Sequence, residues 1–250
     1  MFIAVWGINA GLLFPHSRNM MDIKTEGGEL RKCLAGLGRD EKNMDLQLKN
    51  KVFLVTGGSK GIGRAVVLEL LKEGANVVAG AGGGSTGTVL ETPAEDWRSQ
   101  YEIKVGGVLN TVKPAVKELL KAEAPRIVII NGITANIPDS HMAAVSASRA
   151  AVKQVAYMLA QALAPEICVN TINLGAIDTD RQLDRYKKSQ SLLSFEAWKE
   201  EEAKRRGIPF GRLGRAEEVT PVVLLLLSPL SSYITGSSVD IDGGLNIHWK

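Results

Sequence analysis

The sequence predicts an α/β protein whose core is a doubly wound parallel sheet. Apolar runs of strand length alternate along the chain with longer segments in which apolar residues recur at helical spacing. The first such run, residues 52–55, is followed by a glycine-rich turn and then by a predicted helix over residues 64–73. Because strands that alternate with helices pair in parallel beneath helices on both faces, this pattern favours a Rossmann-type sheet.

The glycine-rich turn, residues 56–63 with the sequence TGGSKGIG, predicts a phosphate-binding site. Glycines let the backbone approach a pyrophosphate closely, and the free N–H groups at the start of the following helix face the anion. The alternative is an ordinary turn of an α/β protein, but here both the strand and the helix flank the motif. We therefore expect dinucleotide binding, with these candidate residues: Gly57, Ser59, Lys60, Gly61, Ile62 and Gly63.

The next elements predicted are a second strand over residues 76–79 and a loop over residues 80–85. Ligands of open α/β sheets bind beside the carboxyl ends of the strands, so Gly82 in this loop is a further cofactor candidate. The TPAE sequence at residues 92–95 is typical of a capping box that opens a helix. That helix extends to about residue 121, and Pro114 predicts a kink in it.

The second half of the chain continues the alternation of strands and helices. Strands are predicted over residues 126–130, 167–172 and 238–241, and helices over residues 146–163 and 216–227. Residues 180–211 are rich in charge and carry Phe195 and Trp198, which indicates a helical excursion that covers a substrate pocket.

Residues 1–43 differ from the remainder because they show no sustained periodicity. We expect them to be a flexible N-terminal extension or a leader upstream of the natural start, followed by a single domain over residues 44–250. The apolar residues 1–14 and 222–227 are too short to cross a bilayer.

Composition excludes several classes of function. A formal charge of +3 over 250 residues favours neither nucleic-acid binding nor a membrane surface. Two cysteines and three scattered histidines predict no disulfide framework and no metal site. The default setting is therefore the reducing cytoplasm.

Several motifs, in a fixed order over about residues 46–247, resemble the short-chain dehydrogenase/reductase family. They are TGGSKGIG at 56–63, SASRAAV at 146–152, NLGAIDT at 173–179, GRLGR at 211–215, YITG at 233–236 and DGG at 242–244. The resemblance implies hydride transfer between a nicotinamide cofactor and a small alcohol or carbonyl compound. It also implies that Gly175, Ile177 and Thr179 belong to the cofactor site, and that the protein is a dimer or tetramer.

The four catalytic positions that the resemblance implies do not carry the family's residues. By position, the family's tyrosine falls at Val145, its lysine at Arg149, its serine at Gly132 and its asparagine at Lys104. Valine cannot transfer a proton and glycine has no side chain, so the usual proton relay is absent. The nearest relatives are therefore expected in an atypical branch that lacks the Tyr-x-x-x-Lys pair.

Two residues are candidates for part of the missing chemistry. His141 lies four residues before the tyrosine position, and histidine is the acid best tuned to neutral pH, although it can equally be an exposed loop residue. Arg149 can bind the nicotinamide ribose but cannot cycle protons, and the alternative is a surface charge. Ser140, Ser146 and Ser148 are weaker candidates, since no activating base is evident.

About fifty residues of the family's usual plan are missing after the first helix. They normally carry a helix, a strand and a second helix, together with most of the adenosine pocket. We expect residues 76–79 to fuse the usual second strand to the end of the fourth. If that strand moved to the opposite side of the first strand, the connecting helix would change face or the crossover would become left-handed.

These observations favour an NAD(P)-dependent oxidoreductase acting on a small alcohol or carbonyl compound. Lys60 is suited to the 2′-phosphate of NADP, although a solvated lysine is the alternative, so NADP is preferred over NAD. The competing hypotheses are a catalytically inactive nucleotide-binding or oligomerisation partner, built on the helices at 93–121 and 146–163, and a poorly folded deletion product.

Overall fold

The computed structural model describes residues 2–6, 44–80 and 87–247, and a six-stranded sheet lies at its centre. Eight strands are present in this part of the chain: β1 (Phe2–Trp6), β2 (Val52–Thr56), β3 (Asn76–Gly80), β4 (Arg126–Gly132), β5 (Cys168–Leu174), β6 (Ile177–Asp178), β7 (Gly214–Arg215) and β8 (Ser238–Ile241). The large sheet has the order β3-β2-β1-β4-β5-β8, and β6 pairs with β7 in a separate short ribbon.

Seven α-helices connect the strands of the described residues. They are α1 (Gly61–Lys72), α2 (Ala94–Tyr101), α3 (Gly107–Leu119), α4 (Ala143–Leu163), α5 (Asp180–Ser189), α6 (Phe195–Arg205) and α7 (Thr220–Leu227). A π-helical turn, Glu102–Gly106, joins α2 to α3 without a break in the chain's helical course.

Apolar side chains fill both faces of the large sheet, as the doubly wound prediction requires. On one face, Phe53 and Val55 of β2 pack in a cluster with residues of α1 and α7. On the other face, Leu54 of β2 packs in a second cluster with residues of α3 and α4. Because successive side chains of a strand point to opposite faces, β2 contributes to both layers. The predicted α/β fold is confirmed.

The N-terminal strand β1 corrects part of the predicted flexible extension, and it adds an antiparallel strand to the predicted parallel sheet. It lies between β2 and β4 and pairs antiparallel with both, with Ala4 opposite Val55 on one side and Val128 on the other. Residues 2–6 are therefore part of the sheet rather than of a flexible extension, while the other residues predicted to be flexible lie outside the described residues. The other five strands of the sheet run parallel to one another.

The position of β3 also resolves the predicted problem of the missing segment. β3 pairs in parallel with β2 on the side away from β4, so it does not move across to the opposite side. The space between β2 and β4 is filled instead by β1. The fusion of two family strands at residues 76–79 stays a prediction: the chain keeps a strand beyond β2 and supplies residues 2–6 as the inner neighbour.

The helix predicted from residue 93 differs from the prediction at its start and in its middle. The Thr92 hydroxyl donates to the Thr88 carbonyl at 2.5 Å, and no side-chain cap is present at Pro93, so the capping box is absent. The π-turn is a departure from α-helical geometry that was not predicted, while Pro114 lies inside α3 and the kink at that residue stays a prediction. A π-turn inserts one extra residue per turn and is frequent at functional sites.

Residues 180–211 form two helices, α5 and α6, as the predicted helical excursion required. Their rings meet in one cluster, in which the centroid of Tyr186 lies 5.3 Å from that of Phe195 and 5.8 Å from that of Trp198. The Lys199 ammonium is 2.7 Å from the Asp178 carboxylate, which joins α6 to β6. We call residues 180–211 the arm; that it covers a substrate remains a prediction.

Candidate active site

The glycine-rich turn between β2 and α1 has the shape needed to hold a phosphate. Gly57 and Gly61 have φ values of 75° and 56°, in the region that favours glycine. At Gly63, an added Cβ atom would overlap the carbonyl oxygen of Gly57, so the turn closes only on glycine. No side chain caps the N-terminus of α1, which leaves its N–H groups available to an anion. These residues fit the pyrophosphate of a dinucleotide.

Substitution of Gly63 by alanine should damage this turn directly. The new methyl group would push against backbone rather than against a flexible side chain, so we expect a loss of stability of about 1–3 kcal/mol and loss of nucleotide binding. The control is Gly207→Ala, where an added Cβ meets nothing within 4 Å; because its φ of 65° strains alanine by about 1–2 kcal/mol, this control is compared through nucleotide affinity and not through stability. Urea unfolding and NADPH titration of both variants test the prediction; equal nucleotide affinity in the two would contradict it.

The three predicted cofactor residues after β5 lie in different surroundings. A Cβ atom on Gly61 would be 3.6 Å from Cγ2 of Thr179, so Thr179 lies against the glycine turn. Gly175 packs beside the backbone of Asp242, and its N–H donates to the Ile241 carbonyl at 2.9 Å. The Ile177 side chain is buried in the core. Their cofactor roles stay predictions, and Gly82 lies outside the described residues.

Arg149 is held at the carboxyl end of β4 by a glycine that makes room for it. An added Cβ atom on Gly132 would be 2.5 Å from the guanidinium carbon of Arg149. The guanidinium donates a hydrogen bond of 2.9 Å to the Thr134 hydroxyl, and the Arg149 carbonyl accepts one of 3.0 Å from Asn131. The two departures from the family pattern at these positions are therefore coupled, since the larger cation needs the space that a serine would fill. Arg149 is not a surface charge.

A double-mutant cycle should measure this coupling. Gly132→Ala alone forces the guanidinium away from Thr134, and we expect it to cost about 1 kcal/mol of stability, as overpacking typically does. In an Arg149→Ala background the same change should cost almost nothing, because the obstructing group is gone. Urea unfolding of the four proteins gives the coupling energy, and additive costs would contradict the proposed packing.

Lys104 is the functional candidate that the sequence-based interpretation passed over. It lies in the π-turn, which packs against α4, and its side chain is only 7% exposed. Its ammonium donates to Oε1 of Gln100 at 2.7 Å. Burial, followed by the charges of Arg149 and Arg181, lowers the pKa of Lys104 to about 8. In the sequence, Lys104 was noted only because it stands where the family has its catalytic asparagine. It was therefore interpreted as the loss of that asparagine and not as a reactive group.

The same environment affects Arg149. Burial, and then the charge of Arg181, lowers the pKa of Arg149 to about 10. The guanidinium thus remains positive at neutral pH. Lys104, Arg149 and Arg181 come from three separate elements, and we call them the cation cluster.

The other candidates are less favourably placed. His141 is exposed; its backbone N–H donates to the Asp139 carboxylate, while its imidazole makes no hydrogen bond or ion pair within the described ranges. Val145 is buried. Ser146 accepts from the Asp139 N–H, and the Ser148 hydroxyl donates to the Val145 carbonyl, so both hydroxyls are already engaged.

The described residues contain neither a candidate metal-ligand cluster nor a helix that could cross a membrane. They bring no three His, Cys, Asp or Glu side chains together as potential metal ligands. None of their helices is both long and apolar enough to cross a membrane.

Comparisons with known proteins agree with this architecture. A family model described as enoyl-(acyl carrier protein) reductase matches residues 77–246, and one described as short chain dehydrogenase matches residues 51–82. The 3-oxoacyl-[acyl-carrier-protein] reductase of Aquifex aeolicus is 26% identical over 261 aligned positions, covering 81% of this chain and all of that protein. The alignment has more positions than the 81% of this chain that it covers, so the relative contains a segment that has no counterpart in this chain.

One further relative matches over a smaller part of the chain, and one solved structure contains NADPH. The 2,3-dihydro-2,3-dihydroxybenzoate dehydrogenase of Escherichia coli is 29% identical over 163 residues, which cover 63% of this chain and 64% of that protein. An NADPH-bound short chain oxidoreductase of Pseudomonas aeruginosa, described as containing an atypical catalytic center, is 29% identical with a TM-score of 0.72, covering 78% of this chain and 96% of that one.

The family-model match covers more than half of the chain, and the fold and the glycine turn agree with it. The chain therefore belongs to the short-chain dehydrogenase/reductase family of NAD(P)-dependent oxidoreductases.

Proposed function

We propose that this protein reduces a small carbonyl compound with NADPH, and that Lys104 supplies the proton. The observation that carries the proposal is a buried lysine whose pKa is about 8, next to Arg149. A catalytic acid works best when its pKa lies near the operating pH, and a solvated lysine at about 10.4 would be far from it.

The cofactor contacts follow from the glycine turn. Residues Gly57 to Gly63 and the N-terminus of α1 would hold the pyrophosphate, and Lys60 and Arg64 are both exposed beside it for a 2′-phosphate. A similar solved structure, from Pseudomonas aeruginosa, holds NADPH, which supports NADP over NAD. NADPH supplies the hydride, and this chain supplies the proton and the charge that stabilises the developing alkoxide.

Lys104 and Arg149 divide the roles that tyrosine and lysine usually share. The Lys104 ammonium donates the proton to the alkoxide oxygen and leaves a neutral amine, which its lowered pKa makes accessible near neutral pH. Arg149 stays positive and favours negative charge on the same oxygen. His141 is the alternative donor, but its exposure and lack of contacts favour a loop residue, and we expect His141→Ala to retain activity.

The first test is a titration of the purified chain with NADPH and with NADH, followed by energy transfer from tryptophan to nicotinamide. Micromolar binding of NADPH, with weaker binding of NADH, is the expected result. A folded sample that binds neither cofactor would remove the oxidoreductase proposal. Nothing in the site or the comparisons favours the alternative of an inactive partner.

We further propose that the protein is a cytoplasmic homo-oligomer that associates through α2, the π-turn and α4. Tyr101, Ile103 and Met158 on these elements expose 41%, 40% and 59% of their surface, and association would remove such apolar area from water. Light scattering after size exclusion measures the mass; a monomer would contradict the proposal.

A further inference from the structure

Among the described residues, no carboxylate forms an ion pair with the cation cluster. Lys104 donates to the neutral amide of Gln100, and Arg149 donates to the Thr134 hydroxyl. Arg181 makes no ion pair with any described residue. The three charges nevertheless act on one another, because Arg181 lowers the pKa of both Arg149 and Lys104.

The neighbouring surface of the arm is also rich in positive charge. Arg185 lies one helical turn after Arg181 on α5, and its guanidinium is 3.3 Å from the Glu202 carboxylate. Glu202 also pairs with Arg205 at 2.8 Å and Arg206 at 2.6 Å. Three guanidiniums therefore share one carboxylate, and the charge next to the cluster remains positive.

An arrangement of this kind costs stability unless an anion completes it. Lys104 is buried and Arg149 is partly buried, and the burial of a charge without an opposite partner is unfavourable. Gly132 is specialised to admit the larger one. A structural role would be served equally well by neutral side chains, so a ligand is the better explanation.

We propose that the carbonyl substrate carries a carboxylate, which binds to the cation cluster through Arg181 and Arg149. This inference rests on the proposed reductase function and names its substrate class. The planar guanidinium matches a carboxylate with two parallel hydrogen bonds, and such charge-assisted bonds are the strong ones. Arg181 is exposed and lies two residues after Thr179, which packs against Gly61 of the glycine turn, so it is near the proposed cofactor site and open to a ligand.

The test uses oxalate, a dicarboxylate that NADPH cannot readily reduce, as a probe of the full chain. Oxalate should raise the Tm of the wild-type protein and should bind at least about tenfold more weakly to Arg181→Gln, since the two charge-assisted hydrogen bonds of the guanidinium are lost. The matched control is Lys187→Gln, which removes an exposed charge from the same helix and should leave oxalate affinity unchanged. Added salt should weaken the interaction.

Several outcomes would overturn the proposal. They are no oxalate binding, equal binding by Arg181→Gln, stronger binding of inorganic phosphate than of oxalate, or displacement of oxalate by NADPH, which would assign the cluster to a cofactor phosphate. NADPH titration of the same samples separates this proposal from the proposed function. Cofactor binding without oxalate binding removes only the substrate class, whereas oxalate binding without cofactor binding removes the reductase.

Discussion

Lys104→Met is expected to lower the rate of carbonyl reduction by about 10²- to 10⁴-fold, the usual contribution of a general acid. NADPH affinity should hardly change, because the glycine turn lies on other elements. The change in stability at neutral pH should be small, since methionine removes a buried charge but also removes the hydrogen bond that Lys104 donates to buried Gln100. The matched control is Lys113→Met, an exposed lysine on α3 that should retain full activity.

The pH profile gives a second, independent measure of the same group. The folded-state pKa of Lys104, about 8, lies below its ordinary value of 10.5, so the ammonium form is lost as pH rises through about 8. Reduction needs that form, and its kcat/KM should therefore fall above pH 8, while alcohol oxidation should rise over the same interval. Arg149→Ala should move the midpoint upward because it removes a positive neighbour.

A reduction rate in Lys104→Met equal to that of the wild-type protein would show that another group donates the proton. An activity loss accompanied by a lower Tm would point to a structural role instead. Loss of activity with unchanged Tm and unchanged NADPH affinity is the combination that identifies a catalytic acid.

Removal of the N-terminal strand should have the largest effect on folding. Residues 2–6 pair with β2 on one side and with β4 on the other, so deletion of residues 1–6 leaves two inner strands without a neighbour. Unpaired backbone groups within a sheet are costly, and the parallel strands on either side of the gap cannot pair without moving several ångströms. We expect the deleted protein to lose cooperative thermal unfolding or to aggregate through the exposed edges.

A point substitution tests the same strand more gently. Ala4→Pro removes one ladder N–H in the middle of β1 and should lower stability strongly, because proline is not tolerated inside a sheet. Ala4→Ser keeps that N–H and serves as the matched control. Circular dichroism melts of the two variants decide the question, and equal melting temperatures would mean that β1 does not hold the sheet together in solution.

The failure to predict β1 has a physical cause. Residues 2–6 are apolar, but a short apolar run does not indicate which strand it pairs with. β1 pairs with strands that are some fifty and more than a hundred residues away along the chain. The spacing of the motifs showed that about fifty residues of the family's plan were missing. It did not show how the position between β2 and β4 would be filled, because that depends on which segment of the chain pairs best with both strands. Only the packed sheet makes that choice.

The sequence by itself determined the alternation of strands and helices, the glycine turn at residues 56–63 and the absence of the usual proton relay, because these features are local patterns. The tertiary structure alone decided that Lys104, Arg149 and Arg181 act on one another, since their elements meet only when the π-turn packs on α4 and the arm begins beside the glycine turn. Burial and like-charge proximity then give Lys104 a pKa that its residue type would not predict. Lys104 and Arg149 stand at two of the family's four catalytic positions, but only the tertiary structure brings both of them close enough to Arg181 for the three charges to interact.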